Sequence, residues 1–192
     1  MSSLKNWDNQ TWISSRKYIE SFNAFVLKQI KLNRESKILD IGCGRGKIVS
    51  NLSSKLRLKN KPQGIDIINH KDKDKRIKFR KIDAVSFFSK NKDKFDLILI
   101  KQTIHLLDLD KIKKLLTLSK KNLSSKGKIF IFTLETDNNQ LPTFKLMKKK
   151  LIESLKRDKK ILKIIKKFYP HRIKKKFIYK VKINKKNYLK MI

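Results

Sequence analysis

The stretch Lys37-Ile-Leu-Asp-Ile-Gly-Cys-Gly-Arg-Gly46 changes character abruptly at its midpoint. Ile38 to Ile41 is a short apolar run broken only by Asp40, the pattern of a strand buried on both faces of a parallel sheet. Glycines then follow at alternate positions, Gly42, Gly44 and Gly46. Without Cβ atoms the backbone there can turn sharply and approach a ligand closely. In an open parallel sheet, ligands collect outside the carboxyl ends of the strands. An acid at a strand end followed by G-x-G-x-G is therefore the first candidate site. Two phosphate-binding patterns fail on the same residues. G-x-G-x-x-G starting at Gly42 would need glycine where Lys47 stands, and a Walker-type loop fails because Gly46-Lys47 continues into Ile48.

Working outward, the residues before this run predict a helix. Ile13, Tyr18, Ile19, Phe22, Phe25, Val26 and Ile30 recur mostly at three- and four-residue spacing, up to a break at Asn33-Arg-Glu-Ser36. After the glycines come a helix over 48–56, a strand over 62–68, a loop or single helical turn over 70–76, and an alternating strand over 77–82. Phe95–Ile100 reads as a fourth strand, Asp110–Asn122 as a helix, and Lys128–Leu134 as a fifth strand opened by Gly127. Strands alternating with helices at short intervals predict an α/β fold, a Rossmann-like, mainly parallel sheet flanked by helices. No repeat or Pro/Gly/Ser linker divides the 192 residues, so one domain is expected. Its parts are an N-terminal helix within 1–35, a core over 36–135, and a basic C-terminal segment with the last strand over 136–192.

Composition narrows the class further. Cys43 is the sole cysteine, which rules out an intramolecular disulfide and makes a disulfide-stapled extracellular scaffold the wrong expectation. No N-terminal apolar run suits a signal peptide, and no apolar stretch is long enough to span a membrane. The expected location is the cytoplasm. His70 and His171 lie far apart without ligand spacing, so no metal site is expected.

Lys plus Arg number 51 against 16 acids, a net charge of +35. The bases divide into 43 Lys and 8 Arg, a bias toward lysine that a protein clamping phosphates bidentately would not favour. Residues 145–192 nevertheless carry 20 bases and 2 acids. Phe144, Met147, Leu151, Leu155, Ile165 and Phe168 can line one face there, which reads as a helix packed on the domain with a lysine-rich outer face. RNA or an anionic surface is the alternative partner for that segment.

Taken together, these stretches resemble the class I S-adenosylmethionine-dependent methyltransferases. Ile38-Leu-Asp-Ile-Gly-Cys-Gly-Arg-Gly46 is similar to their first motif, implying that Asp40, Gly42, Cys43, Gly44 and Gly46 cup the methionine part of S-adenosylmethionine. Gly64-Ile-Asp-Ile67 resembles the second-strand motif, which implies that Asp66 binds the ribose hydroxyls and that Ile67 lies beside the cofactor. A carboxylate suits that task because two hydroxyls can donate to its two oxygens. Lys81-Ile-Asp-Ala84 resembles the third-strand position, implying adenine contacts from Asp83 and Ala84. Phe95–Leu107 resembles the fourth-strand motif, which implies Lys101 at the cofactor pocket and His105 as the acceptor's base where one is needed. With the strand ending at Ile100, Lys101 and Gln102 face the substrate side, ordinary surface residues being the alternative. Passive lining or an ordinary helix start is the alternative for His105. Tyr18 is read as a core aromatic, with a gate over the cofactor as its alternative.

The resemblance implies methyl transfer to oxygen or nitrogen of a small-molecule acceptor. An RNA methyltransferase gripping phosphates with C-terminal lysines, or a non-catalytic cofactor-binding module, are the alternatives. The sequence departs from family habit in three ways. His105 is followed by Leu106 where a second histidine is frequent. The N-P-P-aromatic signature of amino-adenine enzymes is missing. Cys43 sits in the cofactor loop rather than near strand four, which disfavours cytosine-C5 chemistry. Lys176–Ile183 reads as one late strand, so the final antiparallel pair is expected to be incomplete.

Overall fold

The computed structural model describes residues 16–132 and Lys163. In chain order the elements are α1 (Arg16–Gln29), β1 (Ile38–Ile41), α2 (Lys47–Leu56), β2 (Gln63–Asp66), β3 (Lys78–Lys81) and α3 (Ala84–Lys90). They continue with β4 (Phe95–Lys101), a 3-10 turn (Ile104–Leu106), α4 (Leu109–Lys121) and β5 (Leu123–Phe132). The strands form one five-stranded sheet in the order β3-β2-β1-β4-β5, and every pairing is parallel. The chain builds outward from β1 to β3, then crosses back to place β4 on the other side of β1. The carboxyl ends of β1 and β4 are thus the switch point where such sheets hold ligands.

Side-chain alternation divides the core between the two faces. Leu39, Ile41, Ile65, Ile98 and Ile100 pack with Phe87 and Phe88 of α3 and with Ile112, Leu115 and Leu116 of α4. Ile38, Leu97 and Leu99 pack on the opposite face with Tyr18, Phe22 and Val26 of α1 and with Val49 and Leu52 of α2. Both faces of β1 and β4 are covered, which explains why these strands read as nearly continuous apolar runs. The fully buried Asn23 ties the helices of the second face together, donating from Nδ2 to Ile48 O at 2.9 Å and to Asn51 Oδ1 at 2.8 Å. At the far edge, the Phe22 ring meets Phe132 edge-on at 4.5 Å, anchoring α1 on β5.

Several boundaries differ from the sequence expectation for identifiable reasons. β2 stops at Asp66 rather than Ile68 because Asp66 Oδ1 accepts Ile68 N–H at 2.9 Å, turning the chain out of the ladder. β5 begins at Leu123, five residues before the apolar run, because Leu123 pairs with Phe95 across a bulge. α3 escaped the periodicity reading at only seven residues; its start is signalled by Asp83, whose Oδ1 accepts Val85 and Ser86 N–H. The helix expected in the basic C-terminal segment and the late strand over 176–183 lie outside the described residues, Lys163 excepted. Among the described residues, no helix is long and apolar enough to cross a membrane.

Candidate functional site

The turn after β1 is built by left-handed glycines. Gly42, Gly44 and Gly46 adopt φ of 70°, 53° and 72°, a region where side chains with Cβ are strained. At Gly42 the requirement is also steric, since a Cβ there would stand 2.0 Å from Thr103 Oγ1. Gly42 and Cys43 both donate N–H to Ile65 O, at 2.9 and 3.1 Å, which ties the turn to the end of β2. Cys43 serves as filler: a Cβ on Gly64 would lie 2.8 Å from its Sγ. Gly46 then caps α2 with no side-chain hydrogen bond, leaving the start of the helix without a side-chain acceptor.

Asp66, the last residue of β2, stands beside this turn. Its Oδ2 accepts Gly44 N–H at 2.8 Å and its Oδ1 accepts Ile68 N–H at 2.9 Å. Each carboxylate oxygen has a second lone-pair direction, so the group is fixed in orientation yet retains acceptor capacity. The next residue, Ile67, is 68% exposed, unusual for a large apolar side chain at the mouth of a site. Asp40 is only 5% exposed, on the β1 side that also carries Ile38. The structure therefore brings Asp40, the three glycines, Asp66 and Ile67 to one end of adjacent strands.

Asp83 lies further out, one strand along. It is exposed, and it caps α3; hydrogen bonds from Ser86, with backbone help from Val85, hold its carboxyl below the usual range. Ala84 opens that helix. On the other side of β1, Lys101 closes β4, one residue beyond the expected end of the strand, with its Nζ 5.3 Å from the Tyr18 ring centroid. Tyr18 is 4% exposed and stacked on Phe22 at 6.0 Å between centroids, a core aromatic. Gln102 follows with φ of 51°, reversing the chain out of β4 while its N–H still reaches Phe132 O at 2.7 Å. That reversal is what lays Thr103 on Gly42. His105 occupies the middle of the 3-10 turn that follows, between the fully buried Ile104 and the exposed Leu106.

Thr103 was not singled out in the sequence, and neither were Arg45 and Asp72. Thr103 is found only through the αL turn at Gln102, which periodicity does not report. Arg45 is buried and ion-paired to Asp72 at 3.0 Å across 27 residues of sequence. A cleft of about 560 Å³ opens at the opposite end of the sheet, lined by Lys37, Gln63, Lys78 and Asp93 among others. It presents side chains held by one another, such as Lys37 and Asp93 at 3.1 Å, and none of the glycine turns.

A family model described as a methyltransferase domain matches residues 32–189 of the chain. Among solved structures, the plantazolicin methyltransferase BpumL, crystallised with a triazolic desmethylPZN analog and SAH, is 24% identical with a TM-score of 0.61, covering 89% of this chain and 69% of that one. An S-adenosylmethionine-dependent methyltransferase from Clostridium acetobutylicum is 19% identical with a TM-score of 0.54, covering 68% and 55%. A TehB-like methyltransferase from Corynebacterium glutamicum is 23% identical with a TM-score of 0.50, covering 68% and 70%. At these identities the likeness is one of fold. A search of curated proteins finds no match to the sequence.

Proposed function

From a chain that belongs to the methyltransferase-domain family, an S-adenosylmethionine-dependent enzyme, we propose methyl transfer to an oxygen or nitrogen of a small-molecule acceptor. The observation that carries the reading is the Asp66 carboxylate, oriented by Gly44 and Ile68 N–H groups beside the left-handed glycine turn. This fits the cofactor in two respects. The left-handed glycines leave the turn's backbone free of Cβ atoms for close approach to a ligand, and the carboxylate keeps lone pairs for two vicinal hydroxyls. Asp66 would hold the ribose, with Ile67 alongside. Asp40, Gly42, Cys43, Gly44 and Gly46 would cup the methionine part, and Asp83 and Ala84 would border the adenine.

When bound, S-adenosylmethionine supplies an electrophilic methyl group whose leaving group is a neutral thioether. The chain's own contribution is then alignment, where orientation of reactants can supply about 7–11 kcal/mol. Lys101, at the end of β4, borders the cofactor pocket, and the following turn lies toward the acceptor. His105 takes the acceptor's proton where the nucleophile carries one to lose. The preponderance of lysine over arginine supports a small acceptor over a phosphate backbone.

The test is thermal denaturation with S-adenosylmethionine and S-adenosylhomocysteine. At 100-fold above Kd, binding adds about 2.7 kcal/mol of stability. Asp66→Ala is expected to abolish that gain, and an undiminished gain in the variant would overturn the ribose assignment. Labelled cofactor incubated with metabolite and RNA pools then separates acceptors. Incorporation into RNA alone, falling steeply with salt, would replace the small-molecule reading.

A further inference from the structure

The connection between β2 and β3 is fastened to the glycine turn at three places. Asp74 N–H donates to Arg45 O at 2.9 Å. The Arg45 side chain, 7% exposed, reaches under the connection and brings Nε 3.0 Å from Asp72 Oδ1. At its far end, Ile77 fills the space beside Gly46, where a Cβ would meet Ile77 Cδ1 at 2.2 Å.

Asp74 is itself locked. Its carboxylate accepts Arg76 Nη2 at 2.7 Å and Nε at 3.0 Å, and Arg76 Nη1 donates to Ser54 Oγ of α2 at 2.9 Å. The result is a closed circuit from α2 through Arg76, Asp74 and Arg45 back to the turn that begins α2.

Within this circuit the Arg45–Asp72 contact is unusual. Arg45 Nε has no hydrogen-bond partner despite the 3.0 Å approach, so the attraction there is one of charge rather than a directed bond. Asp72 is 60% exposed, so water screens the pair and its contribution is to the orientation of Arg45 more than to stability. Asp72 therefore decides where Arg45 lies. Arg45 sits between Gly44, whose N–H orients Asp66, and Gly46, which caps α2.

We propose that Arg45 and Asp72 form a clasp that positions the cofactor loop, holding Gly44 N–H on Asp66 without touching the cofactor. Both are positioning residues, and the inference rests on the cofactor reading above. Losing the clasp lets the turn sample other geometries, so the effect falls on cofactor affinity rather than on the fold.

The test is isothermal titration of S-adenosylhomocysteine into the full chain and its variants, with Tm measured in parallel. Asp72→Asn and Arg45→Met are each expected to raise Kd about fivefold. The double variant should be no weaker than the worse single one, because both remove the same interaction. Arg45→Lys and Asp72→Glu should recover most of the loss, and Tm of Asp72→Asn should stay within about 2 °C of wild type. A wild-type Kd in Asp72→Asn, or losses that multiply in the double variant, would overturn the clasp. If Arg45→Met does not fold, Asp72→Asn against Asp72→Glu decides alone. A wild-type chain that binds no cofactor would remove the cofactor reading, and the clasp with it.

Discussion

The two ends of the sheet are opposite in kind. The carboxyl ends of β1, β2 and β4 carry left-handed glycines, a carboxylate oriented by backbone N–H groups, and a turn pinned from two directions by Thr103 and the β2–β3 connection. The amino ends carry a cleft of about 560 Å³, with Lys37 and Asp93 each about half exposed and paired at 3.1 Å. Left-handed backbone, polar groups held in fixed orientation and close backbone approach gather where the strand order reverses, at the carboxyl ends of β1 and β4.

The contrast is tested most severely at Gly42. Gly42→Ala forces a Cβ onto Thr103 and strains a residue with φ of 70°, for an expected loss of about 2–4 kcal/mol in urea denaturation. The cofactor-induced Tm gain should vanish with it. Gly42→Ala combined with Thr103→Ala should recover only part of the steric loss, since the Cβ of residue 103 still lies 2.8 Å away, and should leave the backbone strain. No recovery would show that Thr103 does not shape the turn.

Acid probes the same end more gently. Arg76 beside Asp74, with backbone and Ser50 contacts adding to it, holds the Asp74 carboxyl far below its ordinary value. A depressed folded pKa means that this stabilisation is complete above the unfolded pKa near 4 and is lost as pH falls through and below it. Wild type should therefore lose about 1–2 kcal/mol more than Asp74→Asn between pH 5 and the acid limit of folding, read from urea midpoints. Parallel pH curves would remove Asp74 as the cause.

The smallest effect is expected at the amino end. Lys37 holds the Asp93 carboxyl below the usual range, but the pair is well solvated, so screening leaves little of it as stability. Asp93→Asn should change stability by less than about 0.5 kcal/mol and leave cofactor Kd unchanged. A weakened Kd would break the division between the two ends.

Much of this molecule follows from local chemistry that a linear reading captures. Ile38–Ile41 and Phe95–Ile100 announce buried parallel strands because residues covered on both faces must be apolar throughout. The alternate glycines announce a turn because φ of 50–70° excludes most other residues. Asp66 enters as a site residue through the resemblance of Gly64–Ile67 to the second-strand motif, because the apolar pattern itself carries the strand on to Ile68. The seven-residue α3 and the early start of β5 were less legible. The first is too short for periodicity, and the second depends on the Phe95–Leu123 pairing across the sheet rather than on its own pattern.

Sequence alone therefore determined the α/β class, the order of the strands along the chain and the residues of the glycine turn, because these depend on local sterics and on burial periodicity. Tertiary structure decided that β4 lies beside β1, that Thr103 seats on Gly42, and that Arg45 is drawn to Asp72. Those are contacts between residues distant along the chain, fixed by packing and charge in three dimensions, and no local pattern encodes them.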